Sequence, residues 1–159
     1  MLDAGSFYLE SALAAKRLGH RAVLLTGQDL GNVPQSLLSE NIVAFDYAPY
    51  SELFGRATAI VHQGGIGTTA QALRSGRPML VMPYSYDQPD NAARAERLGV
   101  ARTIARDSYT AEQAATELKH LLTDPSYAAR AASVGKQIQA ENGVQVACDL
   151  IEARLEAPV

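Results

Sequence analysis

Ten residues carry the densest potential for chemistry: Ile60-Val61-His62-Gln63-Gly64-Gly65-Ile66-Gly67-Thr68-Thr69. A short apolar run ends in a histidine, glycines follow at 64, 65 and 67, and then two hydroxyls. Glycines let a backbone approach a ligand without Cβ clashes. The helix-compatible Ala70-Gln71-Ala72-Leu73 comes next. The first N–H groups of such a helix lack internal partners and favour an anion, most often a phosphate. His62 can donate to a phosphate oxygen, as the hydroxyls of Thr68 and Thr69 can. The string differs from the P-loop, because no Gly-Lys-Ser/Thr occurs, and from the dinucleotide fingerprint, whose third glycine is out of register. A second candidate, Asp87-Gln88, lies between Pro83 and Pro89. A carboxylate beside an amide offers acceptors and donors together, which suits vicinal hydroxyls of a sugar.

These groups need elements to hold them. The pattern predicts a helix over about 7–18, capped by Ser6 and stopped at Gly19, then a buried apolar strand over 21–26. A short helix at 34–39, a strand at 42–45 and a short helix from Ser51 to Arg56 follow. A third strand at 58–61 feeds the glycine turn and a helix ending at Ser75. A strand at 78–83, a polar loop, a helix at 90–98 and a strand at 101–104 come next. Helices over 110–122, 126–141 and 144–155 close the chain, broken at Asp124-Pro125 and Asn142-Gly143. Strand and helix alternate, so the expectation is one α/β domain over residues 1–159 with a doubly wound parallel sheet. Ligands on such sheets bind beyond the carboxyl ends of the strands. Three loops with unusual chemistry converge there: Tyr47/Tyr50, His62–Thr69 and Asp87/Gln88.

Composition narrows the function. The chain has 159 residues, 47% hydrophobic and 19% charged, which supports a packed core and argues against disorder. Net charge is −3 and the basic residues Lys16, Arg17, Arg94, Arg97, Arg102 and Arg106 are scattered, which argues against nucleic-acid binding. The single cysteine, Cys148, is expected to be a small core residue, and it allows neither a disulfide nor a cysteine metal cage within one chain. No apolar stretch approaches the ~20 residues of a membrane span, and no leader pattern opens the sequence. A soluble cytoplasmic protein is the expectation.

Taken together, the residues resemble a known family. His62-x-Gly-Gly-x-Gly-Thr-Thr-x-x-Ala-Leu-x-x-Gly76-x-Pro78, then Pro83-x-x-x-Asp87-Gln88-Pro89-x-Asn91-Ala92, is similar to the C-terminal, donor-binding domain of GT-B fold glycosyltransferases that use UDP-sugars. Plant secondary-metabolite and bacterial antibiotic glycosyltransferases are the group it resembles. The resemblance runs from about Ser6 to the C-terminus and implies a Rossmann-like sheet. It implies that His62 contacts the donor diphosphate and that Gly64, Gly65, Gly67, Thr68 and Thr69 form its cradle. It implies that Asp87 and Gln88 bind the sugar hydroxyls. Tyr47 falls where the family often has a base-stacking tryptophan, Tyr50 where it often has Gln or His, and Gln71 where a glutamate often binds the ribose. No Asp-x-Asp occurs, so no metal or other cofactor is implied, and the similar enzymes invert the anomeric centre by direct displacement.

The resemblance also implies two absences. In the family the acceptor pocket and general base lie in an N-terminal domain, so no transfer by this chain alone is expected. A central strand precedes the first helix in the family fold, and Met1–Gly5 is too short to supply it. The expectation is therefore an oligomer, a swapped arrangement or an irregular sheet centre, or an acceptor-domain partner. Two functions compete with an enzyme fragment: a non-catalytic nucleotide-binding subunit acting in trans, and a Rossmann-like dinucleotide module.

Overall fold

A computed structural model describes residue 4 and residues 6–27 and 33–156; the loop expected over 27–34 lies mostly outside them. Helix α1 (Phe7–Leu18) ends on Gly19 at φ 67°, the left-handed turn that glycine adopts most cheaply. Then come β1 (Ala22–Leu25), β2 (Ile42–Phe45), α2 (Tyr50–Leu53), β3 (Ile60–His62), α3 (Ile66–Ser75), β4 (Met79–Val81), α4 (Gln88–Arg97), β5 (Ala101–Thr103), α5 (Ala111–Thr123), α6 (Pro125–Ala140) and α7 (Gly143–Glu156). Short 3-10 turns occupy Gln35–Leu37, Phe54–Arg56 and Arg106–Ser108. All strand pairs are parallel, and parallel neighbours require crossovers. β1 pairs with β2, Ala22 opposite Ile42. β3, β4 and β5 pair in that order, with Ile60 opposite Met79 and Met79 opposite Ala101.

The expected α/β class is present, but the sheet is in two pieces. Among the described residues no strand joins β1 to β3. An irregular sheet centre was one of the arrangements expected above, and the gap between β1 and β3 is where it falls. The backbone shows the break locally. The Ala22 and Thr26 N–H groups donate to Asn41 and Phe45 carbonyls of the β2 side. Residues of a parallel strand alternate in direction, so Val23 and Leu25 turn their polar groups away from β2. The Tyr8 hydroxyl satisfies one of them, donating to the Leu25 carbonyl at 2.8 Å. Helix α1 thus ties the smaller sheet in place.

β4 is the centre of the larger sheet, and its alternation fills both faces. Met79 and Val81 pack with Ala72, Ala92, Ala95 and Val100. Leu80 and Met82 pack on the other side with Phe7, Ala14, Leu118 and Leu121. A smaller core of Ala12, Leu24, Val33 and Ile42 lies under β1 and β2. Ala12 and Ala14 belong to different cores, so α1 straddles them.

Several expectations need correction. The first strand is not buried throughout: Val23 is 45% exposed, on the face opposite Leu24, which packs into the core. β3 begins at Ile60 and takes in His62. α2 begins at Tyr50 after Pro49 instead of being capped by Ser51. Ser6 precedes α1 without a side-chain capping bond. α4 begins at Gln88 rather than Asp90, because Pro89 fits the first helical turn, where a missing N–H costs nothing. Asp87 and Gln88 therefore sit at a helix start and not in mid-loop. Cys148 is exposed instead of buried. The expected last helix exists, yet every described side chain from Glu141 to Leu155 is exposed, with Val144, Ala147, Cys148, Ile151 and Leu155 along one stripe of it.

Candidate functional site

The register of β3 on β4 sets the site. His62 is opposite Val81, so both strands end at the same edge and their following helices start there. Gly65 is the N-cap residue of α3, and no side chain caps that helix. The N–H groups of Ile66, Gly67 and Thr68 precede the first intrahelical bond, which runs from Thr69 N–H to the Gly65 carbonyl at 2.9 Å. Those amides, with the positive end of the helix dipole, form an anion seat. The Thr69 side chain is buried and donates to the same Gly65 carbonyl at 3.0 Å. Its proton is spent inside the turn, whereas Thr68 is half-buried at the first turn.

The three glycines serve different ends. Gly64 has φ 89°, and a Cβ there would meet Val81 Cγ1 at 3.0 Å and the Gln88 carbonyl oxygen at 3.2 Å. Its own fold demands glycine. A Cβ on Gly67 would meet nothing within 4 Å. Nothing within the protein fills the space that a side chain at 67 would occupy.

His62 is 4% exposed. Its Nδ1 accepts the Gly64 N–H at 3.0 Å, and its Nε2 lies 3.3 Å from Met79 Sδ. Burial lowers its pKa to about 4, so the ring is neutral near pH 7. With Nδ1 accepting, the proton sits on Nε2. Both ring nitrogens are engaged within the protein, and in this arrangement His62 shapes the glycine turn. A direct bond to a phosphate requires the ring to leave Gly64.

On the neighbouring edge, Gln88 Oε1 accepts the Tyr84 N–H at 2.7 Å and the Ser85 N–H at 3.2 Å. The amide oxygen folds the β4–α4 loop, leaving the NH2 group as the donor for a ligand. Asp87 is exposed, and its Oδ2 accepts from Asn91 Nδ2 at 2.7 Å. The same Nδ2 donates to the Gly64 carbonyl at 2.9 Å. The glycine turn and Asp87 are thus brought into one hydrogen-bonded unit through Asn91.

The remaining predicted residues are placed less tightly. Tyr47 is 74% exposed after β2. Tyr50 stacks on Phe54 with ring centroids 4.4 Å apart, so one face of its ring is already in use. Gln71 is exposed on α3. No hydrogen bond joins these three to the turn or to α4 among the described residues. Sequence reasoning assigned no role to Asn91, although its spacing of four from Asp87 at a helix start is a readable signal. It also missed Arg106, whose guanidinium lies 3.8 Å over the Tyr84 ring, and Tyr86, held at φ 58° and 94% exposed beside Asp87. Neither has a local motif. A cavity of about 240 Å³ opens at the same rim between Ser6, Met82 and Arg106, adjoining the predicted residues without including them. No group of three or more His, Cys, Asp or Glu among the described residues could hold a metal.

Known proteins similar to this chain in sequence and fold are glycosyltransferases. The family model of the erythromycin biosynthesis protein CIII-like C-terminal domain matches residues 18–153. The chain is 39% identical over 145 residues to O-mycaminosyltylonolide 6-deoxyallosyltransferase of Streptomyces fradiae, covering 91% of this chain and 33% of that protein. It is 31% identical over 153 residues to the oleandomycin glycosyltransferase of Streptomyces antibioticus, covering 96% of this chain and 36% of that protein. Among solved structures, the glycotransferase of kitacinnamycin superposes with a TM-score of 0.85 at 30% identity, covering 94% of this chain and 39% of that one. The glycosyltransferase VinC, solved in complex with DTDP, gives 0.72 at 27% identity, covering 82% and 33%. The chain spans about a third of the length of these relatives. It belongs to the erythromycin biosynthesis protein CIII-like C-terminal domain family, the C-terminal domain of antibiotic glycosyltransferases with a Rossmann-like α/β fold.

Proposed function

We propose that this chain is the donor-binding half of an inverting, metal-independent glycosyltransferase that uses a UDP-sugar or related nucleotide sugar. The observation that carries the reading is the uncapped N-terminus of α3 beside Asp87 and Gln88 on the same sheet edge. The diphosphate takes the amides of Ile66, Gly67 and Thr68 and the Thr68 hydroxyl, over the backbone of Gly64 and Gly65. His62 and Thr69 hold that turn in shape, and His62 reaches the diphosphate only by releasing Gly64. Asp87 accepts from sugar hydroxyls through the oxygen that Asn91 leaves open, and Gln88 donates through its NH2. Tyr47 offers an exposed face to the base, and Gln71 an amide to the ribose. Tyr50, stacked on Phe54, backs this side.

The chemistry follows from charge. As the sugar's C1–O bond to the diphosphate breaks, negative charge grows on the leaving oxygen, and fixed backbone dipoles stabilise it without a metal. The acceptor oxygen forms the new bond from the opposite face, and its proton goes to a base outside this chain. Two observations support a second half: the relatives are about three times longer, and α7 carries Val144, Leu150, Ile151 and Leu155 between 61% and 80% exposed. That half is an acceptor domain, joined in a longer chain or acting in trans. The chain by itself performs no transfer, and its surroundings are cytoplasmic.

Calorimetric titration tests this reading. UDP or TDP, and the matching nucleotide glucose, are expected to bind with EDTA present and with no change on adding Mg2+. Binding of NAD without either diphosphate overturns the donor site in favour of a dinucleotide module. Binding that appears only with Mg2+ overturns metal independence.

A further inference from the structure

One side-chain nitrogen connects the two parts of the donor site. A primary amide carries two N–H bonds, and Asn91 Nδ2 has two acceptors, the Gly64 carbonyl at 2.9 Å and Asp87 Oδ2 at 2.7 Å. Both protons are spent, one on each side of the site. Gly64 is held on both backbone groups: its N–H goes to His62 and its carbonyl to Asn91, and Val81 and Gln88 fill the space that a Cβ would take. Asp87 is otherwise exposed, and an exposed carboxylate samples several rotamers. Bonding one oxygen to a group that is itself pinned to Gly64 restricts that choice and leaves the second oxygen without a hydrogen bond among the described residues.

We infer that Asn91 is a positioning residue: it fixes the spacing between the diphosphate turn and the carboxylate that receives the donor sugar. The inference rests on the donor-site reading above. The bond to Asp87 alone would do no more than stiffen the first turn of α4, an effect confined to stability. The bond to Gly64 reaches across to another element, so its loss changes how the sugar is held relative to the diphosphate. Such coupling is visible as a sugar increment, the ratio of the dissociation constant for a nucleoside diphosphate to that for its glucose conjugate.

The test uses the 159-residue chain with UDP, TDP and their glucose conjugates in calorimetry. Asn91→Leu removes both donors at similar volume. It is expected to lower the sugar increment about tenfold, the scale of one lost hydrogen bond to a charged group. Asn91→Asp is expected to be at least as damaging, since it places a second carboxylate against Asp87. In the Asp87→Ala background, Asn91→Leu is expected to change the sugar increment no further. An unchanged increment in Asn91→Leu, or full additivity with Asp87→Ala, overturns the inference even if the melting temperature falls. A ligand-free arm keeps the two readings apart. The Asn91 side-chain amide protons are expected to exchange with solvent more slowly in the wild-type chain than in Asp87→Ala. Equal exchange in the two shows that the clamp does not exist. If exchange is slowed but neither nucleotide class binds, the donor-site reading fails and takes the positioning role with it.

Discussion

The buried His62 makes stability depend on pH in a window set by its surroundings. Its ring is 4% exposed, and burial lowers its pKa from 6.5 to about 4. In the unfolded chain the same ring takes up a proton near pH 6.5. Between these values the unfolded state binds a proton that the native state refuses, so stability falls as pH falls. The contribution is fully present above about pH 6.5. From the two pKa values it shrinks by about 2 kcal/mol at pH 5, and by about 3 kcal/mol well below pH 4. Protonation also removes the Nδ1 lone pair that accepts the Gly64 N–H, so the glycine turn loosens with it. Urea unfolding at pH 7 and pH 5 measures the loss. His62→Asn is the control, because its amide oxygen can replace Nδ1 without titrating. Groups common to both proteins cancel in the difference. The wild-type chain is expected to lose about 2 kcal/mol more than the variant between the two pH values. Equal losses refute the reasoning, and would mean that the imidazole reaches solvent in the native state.

Other substitutions separate internal demands from ligand demands. Gly64→Ala forces a side chain into φ 89° and against Val81, and is expected to cost about 2 kcal/mol or more in chemical denaturation. Gly67→Ala has open space and a helical position; it is expected to stabilise by up to about 1 kcal/mol while weakening diphosphate binding in calorimetry. Gly135 lies where a Cβ would be 2.7 Å from Gly76 Cα, so Gly135→Ala is expected to lower stability by about 1–3 kcal/mol as α6 is pushed off α3. The double substitution Ile151→Glu and Leu155→Glu, at sites 61% and 80% exposed, is expected to leave the melting temperature of the isolated chain nearly unchanged.

Much of this was readable because local signals and tertiary demands agree. The run around β4 is apolar at consecutive positions because both faces of a central parallel strand are buried. Gly19, Gly76 and Asp124-Pro125 end or start helices by backbone geometry alone. The same periodicity failed on α7. Val144, Ala147, Cys148, Ile151 and Leu155 recur on one face of α7, but periodicity cannot say what covers a face. At the site, the types of His62 and Asn91 were visible and their partners were not. A histidine near a glycine turn can point out to a ligand or in to Gly64, and only burial decides. Arg106 reaches Tyr84 across the fold, a contact that local spacing does not encode.

The split between the sheets divides the molecule by task as well as by pairing. The turn after β3 and the start of α4 both spring from the larger sheet, while Tyr47 and Tyr50 follow β2 in the smaller one. The smaller sheet rests on its own core of Ala12, Leu24, Val33 and Ile42. Opening that core exposes the edge that carries Tyr47 without breaking the bonds among His62, Gly64, Asn91 and Asp87. The two parts therefore rest on separate cores that α1 bridges. On the proposed function, substitutions around Tyr47 can therefore retune contact with the base while the bonds among His62, Gly64, Asn91 and Asp87 stay as they are.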